Sequence, residues 1–300
     1  MCIPAYRQPL LLARAIESVF SQDFSDFEII VTDDSEKGEI SGVIEKWRAD
    51  GRLTYLRNEV RLGSPANWNA AMRIARGELI KFLHHDDWLS GPTSLGRFVE
   101  AMQSSPDVNF AFSATTVCEV GGRQISRHTA SSAHLARLNH RPGVLHFGNL
   151  IGAPSATIFR RQDGFQFDVC LQWVVDIDAY LQLLGSPPQF EYIPEALVCV
   201  TSTGAHQVTR HFESDKVSRN AEHFYLYAKH TPSELRQRIG GLLFLFKLLE
   251  GCSGAELKDL ANRRQKMSKR TMEEIVALSV RSIKYELTEM LRNVRHLFTR

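Results

Sequence analysis

Two strand-like apolar runs in this chain each end in a pair of carboxylates. Phe27 to Thr32 runs into Asp33-Asp34-Ser35, and Glu78 to Leu83 runs into His84-His85-Asp86-Asp87-Trp88. Around them, short β-like runs alternate with helical patterns, which predicts an α/β sheet with helices packed on its faces. In open sheets of that kind, ligands bind beyond the C-terminal ends of the strands. Carboxylates placed there serve no packing purpose, so both pairs read as groups that face a ligand.

The remaining elements follow from spacing and punctuation. Ile3 opens a short strand that Pro4 closes, and Leu11, Leu12, Ala15, Ile16, Val19 and Phe20 recur at helical spacing. A helix is expected around Glu39–Arg48, a strand at Leu53–Leu56, and a helix over Ser64–Arg76, with Pro65 in its first turn and Gly77 just past its end. The stretch from Gly121 to Phe147 is rich in Ser, His, Arg and Gly, with weak periodicity, and reads as a long connection that could serve as a substrate loop. A strand over Ala156–Phe159, a helix from Asp176 to Leu184, and strands at Phe190–Ile193 and Leu197–Thr201 complete the α/β part. Beyond about Arg210 the pattern turns helical.

Charge divides the chain at the same place. The net charge of +2 conceals −5 over residues 1–206 and +7 over residues 207–300. The basic segment suits either an anionic membrane surface or a solvated helical face. Five widely spaced cysteines, with no Cys-x-x-Cys pair, suit a reducing compartment and argue against a structural zinc cluster. Met1-Cys2-Ile3-Pro4 lacks a signal-peptide pattern, and the longest apolar stretch, Leu242 to Leu249, is interrupted by Lys247. That stretch is far short of the roughly 20 residues a spanning helix needs. A cytoplasmic protein is expected, and the basic segment is compatible with peripheral contact at the inner face of the membrane.

Asp86-Asp87 is the pair best suited to a cation. Mg²⁺ and Mn²⁺ take oxygen ligands and often need only one or two carboxylates, with phosphates and water completing the shell. An Asp-Asp pair alone is weak evidence, because caps and turns use Asp freely. The wider pattern is specific. Cys2-Ile3-Pro4-Ala5-Tyr6-Arg7, Ala15 to Gln22, Phe27 to Ser35, Ala66-Asn67-Trp68-Asn69, Ala75-Arg76-Gly77-Glu78 and Phe82 to Trp88 keep an order and spacing that closely resembles glycosyltransferase family 2. The resemblance is strong to about residue 115, weaker to about 208 and not visible beyond.

That resemblance implies a GT-A-like nucleotide-binding sheet with flanking helices over residues 1–208, followed by a mainly helical basic segment over 209–300. Residues 1–115 would be the nucleotide-binding half and 116–208 the acceptor half. It implies an inverting transfer of sugar from a nucleotide-diphosphate donor to a hydroxyl acceptor, a glycan, lipid-linked sugar or protein. Surface polysaccharide or glycolipid synthesis would be the setting, with Mn²⁺ or Mg²⁺ as cofactor. Pro4, Ala5 and Tyr6 would line the nucleoside pocket, Asp34 would accept a hydrogen bond from the base, and Asp33 would support the loop. Asn69 matches a donor-side asparagine. Asp86 would bind the ribose or sugar side of the donor and Asp87 the metal. His84 stands where relatives carry the first acid of an Asp-x-Asp motif, and is either a metal ligand or a packed strand-end residue.

An inverting displacement also needs a carboxylate that takes the acceptor's proton. Relatives place it at the start of a helix. Here Asp176 aligns with that position, with Val175 in place of the usual Glu and Asp178 as competitor; a plain helix cap is the bland alternative. Gly152-Ala153-Pro154-Ser155 matches a family segment near acceptor and donor sugar. His206 matches a histidine that approaches metal or pyrophosphate in some relatives, or is a loop residue. Arg57 and Arg61 could reach phosphates or be solvated. Two rivals stand beside this reading: a nucleotidyltransferase, which would want a Gly-rich basic loop that Ile3–Leu10 lacks, and a non-catalytic nucleotide- or glycan-binding relative. Relatives usually carry several more residues in the first strand, so a truncated or misplaced start is a further expectation. No P-loop follows Gly63-Ser64-Pro65, and no Gly-x-Ser-x-Gly elbow occurs, which leaves NTPase and serine hydrolase readings unsupported.

Overall fold

The structure, a computed structural model, describes residues 1–202 except 37 and 186, residues 215–230, and 241, 244–245, 247–248, 252–253 and 255–256. The chain divides into two compact units, Met1–Leu145 with Asn149–Gln207, and His146–Gly148 with Val208–Arg300. In the second unit the described helix is α7 (Lys216–Lys229), capped by the Asp215 side chain on the Ser218 amide. No helix among the described residues is long and apolar enough to cross a membrane. His206 and most of the basic segment 209–300 lie outside the described residues, among them Arg281, Lys284, Arg292 and Arg295, whose sequence spacing with Ile283, Leu287, Leu291, Val294 and Phe298 is that of an amphipathic helix.

The first unit is built on two joined sheets. Strands β1 (Cys2–Ala5), β2 (Ile29–Asp33) and β3 (Leu53–Arg57) run parallel in that order. On the other side of β1, residues 81–83 pair with it in parallel: the Cys2 amide donates to the Lys81 carbonyl and the Leu83 amide to the Cys2 carbonyl. Just upstream, β4 (Leu79–Ile80) pairs antiparallel with β8 (Thr157–Arg160). That opens the second sheet, in which β8, β6 (Phe110–Cys118), β9 (Glu191–Thr201) and β5 (Trp88–Leu89) follow in order, with β7 (Gln124–His128) on β6. Residues 79–83 therefore belong to both sheets.

Side-chain alternation sorts the faces. Ile3, Ala5, Ile29, Val31 and Leu83 share one core with Leu12, Ile16 and Val19 of α1 (Pro9–Phe20), Ile44 of α2 (Ser41–Ile44), and Leu95, Phe98 and Met102 of α4 (Ser94–Ser104). Thr32 and Phe82 face the opposite side, where Asn67 and Trp68 of α3 (Ser64–Ile74) meet them. Helices on both faces are what the alternating pattern implied.

The strand at Ile3 does not stop at Pro4. Backbone groups of a strand alternate sides, and Pro4 faces the side of segment 81–83 where that segment has already turned away into His84. Its missing N–H is not needed there. The strands expected at Phe190–Ile193 and Leu197–Thr201 are one strand, β9. Pro194 and Glu195 bulge out of its register with β6, between the pairs Ser113–Ile193 and Ala114–Ala196. The stretch from Gly121 to Phe147 holds β7, α5 (Ser132–His140) and a short 3₁₀ turn rather than one irregular loop.

Candidate active site

Because β1, β2 and segment 81–83 are mutually parallel, Pro4–Tyr6, Asp33–Asp34 and His84–Asp87 all leave the sheet at the same edge. Pro4 and Ala5 are buried in the strand end, and Tyr6 follows, its ring centroid 4.4 Å from the Arg61 guanidinium and 5.1 Å from that of Arg7. Arg7 and Gln8 hold φ of 56° and 57°, a left-handed turn uncommon for residues with a side chain. Arg57 and Arg61 are exposed.

The first acidic pair organises the loop over this edge. Asp33 is buried, accepting from the Ser35 amide at 2.8 Å and from the Tyr55 hydroxyl at 2.7 Å. Burial first, then that hydrogen bond, pushes the Tyr55 phenol well above its ordinary range. Asp34 accepts from the amides of Leu62 (2.7 Å) and Gly63 (2.8 Å) and from Asn58 Nδ2 (3.0 Å). Three donors on one carboxylate fix residues 58–63 beside Tyr6. Asn69, expected on the donor, uses both ends of its amide on Phe167: Nδ2 donates to the carbonyl (2.8 Å) and Oδ1 accepts the amide (2.9 Å). It ties α3 to the loop that leads towards Asp176.

The second acidic segment brings several ionisable side chains together. One ligand atom from each of His84, Asp86 and Asp87 lies within 4.8 Å of the others. Asp87 is anchored by the Thr201 amide, at 2.8 Å, and by the Ser155 hydroxyl. Thr201 Oγ1 also donates to the Asp86 carbonyl, and Arg14 Nη2 donates to it at 3.1 Å while its guanidinium stacks 3.6 Å from the Trp88 ring. Burial, and then the neighbouring Asp86 charge, push the Asp87 carboxyl well above the usual carboxylate range. Two adjacent carboxylates that disfavour each other's charge are relieved by a divalent cation between them, so this donor set fits Mn²⁺ or Mg²⁺. Beneath them Lys81 is buried, donating from Nζ to the carbonyls of Ser155, Thr157 (3.3 Å) and Phe82 (3.4 Å), with the Phe98 ring at 4.1 Å. Burial lowers its pKa to about 7, opposed by Asp87.

Asp176 sits in the first turn of α6 (Val175–Leu183), where Val174 is the N-cap, so the helix does not begin on Asp176 itself. Its Oδ2 accepts from Asn149 Nδ2 at 2.6 Å. The rest of that amide is engaged too: Asn149 Oδ1 accepts from the Ile151 (3.0 Å) and Gly152 (2.8 Å) amides, and Nδ2 also donates to the Gly152 carbonyl (2.9 Å). The Tyr180 hydroxyl donates to the same carbonyl at 2.8 Å. Gly152 has φ of 104°, and a Cβ there would lie 3.2 Å from His128 Nδ1. Asp178 is fully buried and accepts from Gln182 Nε2 at 2.7 Å, inside the packed face of the helix. Three residues past Gly152, Ser155 Oγ accepts the His84 amide at 2.9 Å. The segment 149–155 thus joins Asp176 to His84 and Asp87. Asn149, Ser155, Thr201, Lys81 and Arg14 carry this arrangement, and apart from Ser155 none is flagged by a motif.

Comparison with known proteins fits this geometry. The sequence profile of Glycosyl transferase family 2 matches residues 1–163. This chain belongs to glycosyltransferase family 2. The enzyme is 32% identical over 226 residues to an uncharacterized protein of Mycobacterium tuberculosis, covering 70% of this chain and 69% of that one. It is 37% identical over 95 residues, 31% of each chain, to the GalNAc(5)-diNAcBac-PP-undecaprenol beta-1,3-glucosyltransferase of Campylobacter jejuni. Among solved structures it resembles the mannosyltransferase PcManGT of Pyrobaculum calidifontis, in complex with GDP-Man and Mn²⁺, with a TM-score of 0.54 at 14% identity, covering 95% of this chain and 86% of that one. The glycosyltransferase has the GT-A fold, and the nucleotidyltransferase rival falls with the family assignment.

Proposed function

We propose that this glycosyltransferase transfers a sugar, with inversion, from a nucleoside-diphosphate donor to a hydroxyl of a glycan or lipid-linked saccharide, with a divalent cation bound at Asp87 and Asp86. The observation that carries the reading is the shared edge: the carboxylates of β2 and of segment 84–87 lie beyond the ends of parallel strands, linked to Asp176 through residues 149–155. Pro4, Ala5 and Tyr6 contribute the nucleoside side, with Asp34 and Asp33 shaping the loop over it. Asp86, expected on the ribose or sugar side of the donor, serves the cation instead in this reading, because its ligand atom lies within 4.8 Å of that of Asp87. Asn69 acts through the Phe167 loop as a positioning residue. His206 remains a proposed neighbour of the diphosphate. The cation, when bound, neutralises charge on the departing diphosphate.

Asp176 takes the proton of the acceptor hydroxyl as its oxygen bonds to the anomeric carbon, and the bond from that carbon to the diphosphate oxygen breaks on the opposite face. The nucleoside diphosphate leaves with the electron pair. The Mn²⁺ and GDP-Man of the Pyrobaculum enzyme and the undecaprenol-linked acceptor in the Campylobacter enzyme's name support the donor, cation and acceptor classes. Action from the cytoplasmic side, peripheral to a membrane, agrees with a lipid-linked acceptor.

The test begins with thermal shift against UDP, GDP and their sugars, with and without Mn²⁺, because a ligand of the folded state raises apparent stability by mass action. Transfer is then measured for the wild type and Asp176→Asn, with the product anomer read by NMR. A general base contributes roughly 10²–10⁴-fold, and Asp176→Asn should lose that much while keeping donor affinity. A variant within about tenfold of wild type would remove Asp176 from the reaction, and a retained anomeric configuration would remove inversion.

A further inference from the structure

We propose that His84 is a direct nitrogen ligand of the bound cation, so that this enzyme selects a first-row transition ion, such as Mn²⁺, over Mg²⁺ and Ca²⁺. The inference rests on the cation reading above and names the ion class it takes.

Three features of His84 carry it. Its ligand atom lies within 4.8 Å of those of Asp86 and Asp87, a spacing one ion can bridge. Its Nε2 is buried without a hydrogen-bond partner among the described residues, although buried ring nitrogens are ordinarily satisfied. The residue is also held rather than loose: its amide is fixed on Ser155 Oγ at 2.9 Å, and its ring packs on Trp68 with centroids 4.8 Å apart.

The consequence for ion choice is chemical. Mg²⁺ demands oxygen ligands and near-ideal octahedral geometry, whereas imidazole is taken by first-row transition ions, least strongly by Mn²⁺ and more strongly along the row. Charge points the same way. Two carboxylates and a neutral imidazole balance a dication, while a third carboxylate at position 84 would leave the site net negative before the diphosphate arrives. Asp87, already anchored by Thr201 and Ser155, is the fixed oxygen of the set, and His84 adds a nitrogen where an acid would favour Mg²⁺.

The experiment uses the full chain with Mn²⁺ and whichever of UDP or GDP stabilises it. Pulsed electron paramagnetic resonance of the bound Mn²⁺ should show nitrogen coupling that changes isotope when histidine is ¹⁵N-labelled. The coupling should vanish in His84→Asp. Competition between Mn²⁺ and Mg²⁺, followed by the Mn²⁺ signal, should shift towards Mg²⁺ by at least about tenfold in that variant. Bound Mn²⁺ with no histidine coupling in the wild type overturns the proposal while leaving a carboxylate site intact. Coupling that survives in His84→Asp also overturns it, by assigning the nitrogen to another histidine. Mn²⁺ that does not bind with either nucleotide overturns the cation reading itself. Where His84→Asp folds poorly, His84→Asn gives the same reading, and a wild type without histidine coupling overturns the proposal by itself.

Discussion

Asn149 offers the sharpest test of how the reacting carboxylate is tuned. Its amide donates to Asp176 Oδ2 at 2.6 Å, and a donor on a carboxylate stabilises the charged form. Hydrogen bonds to charged groups contribute about 1.5–3 kcal/mol, and 1.36 kcal/mol corresponds to about one pKa unit. Asn149→Ala should therefore raise the pKa of Asp176 by up to about 1–2 units. The sign follows directly: a base that protonates at higher pH loses activity sooner on acidification, so the acid limb of the kcat–pH profile moves upward. Asn149→Asp should move it further, because a carboxylate oxygen then faces Asp176 where the amide stood. Asn149→Ala also loses the bonds to Ile151 and Gly152, worth about 1 kcal/mol each where water does not replace them, whereas Asn149→Asp keeps an acceptor for both amides and loses the donor to the Gly152 carbonyl, so Tm should fall modestly in both and less in Asn149→Asp. The assay is transfer rate against pH at saturating donor, with Tm recorded alongside. If Tm falls in both variants but the acid limb stays within about 0.3 pH units, Asn149 is a loop brace and the reasoning about Asp176 is refuted.

Lys81→Met removes a buried ammonium whose pKa is lowered to about 7. Between that value and the unfolded lysine range the unfolded chain binds the extra proton, so wild-type stability should climb by roughly 3 kcal/mol relative to Lys81→Met from pH 7 to 9.5, checked by urea melts at each pH. Gly152→Ala meets both a φ of 104° and His128, and should cost about 1–3 kcal/mol in the same assay. Asp34→Asn turns the Gly63 amide against an amide donor and should weaken nucleotide binding about tenfold by calorimetry, since residues 58–63 lose an anchor worth about 1–3 kcal/mol. Ser155→Ala unties the His84 amide and Asp87 together, and should lower Mn²⁺ affinity about 10–100-fold in the presence of nucleotide.

Much of the architecture was legible because period and punctuation agreed. The apolar stripe Leu11, Leu12, Ala15, Ile16 and Val19 is the buried face of α1, and Pro65 stands in the first turn of α3, as its position suggested. The carboxylate pairs stood out because charge at a strand end contradicts packing. Helix α4 was not among the expected elements, although its Leu95, Phe98, Val99 and Met102 are spaced as one buried helical face. What stayed hidden depends on distant partners. Nothing local in Lys81 says that an ammonium will find carbonyls more than seventy residues away at Ser155 and Thr157. Nothing local in Asn149 or Thr201 says that they will hold Asp176 and Asp87. Asparagine and threonine are common in loops and strands, and only tertiary contact distinguishes these two.

The shared segment 79–83 has a consequence for anyone dividing the enzyme. Its first two residues are hydrogen-bonded to β8 and its last three run beside β1, so the nucleotide-side strands have no edge of their own on that flank. An excised N-terminal fragment would expose that border, strip β6 of β9 and deprive Asp87 of the Thr201 amide. Donor and acceptor functions therefore cannot be parted by cutting the chain between them: a fragment ending before Thr201 should be sticky, unstable and deaf to metal.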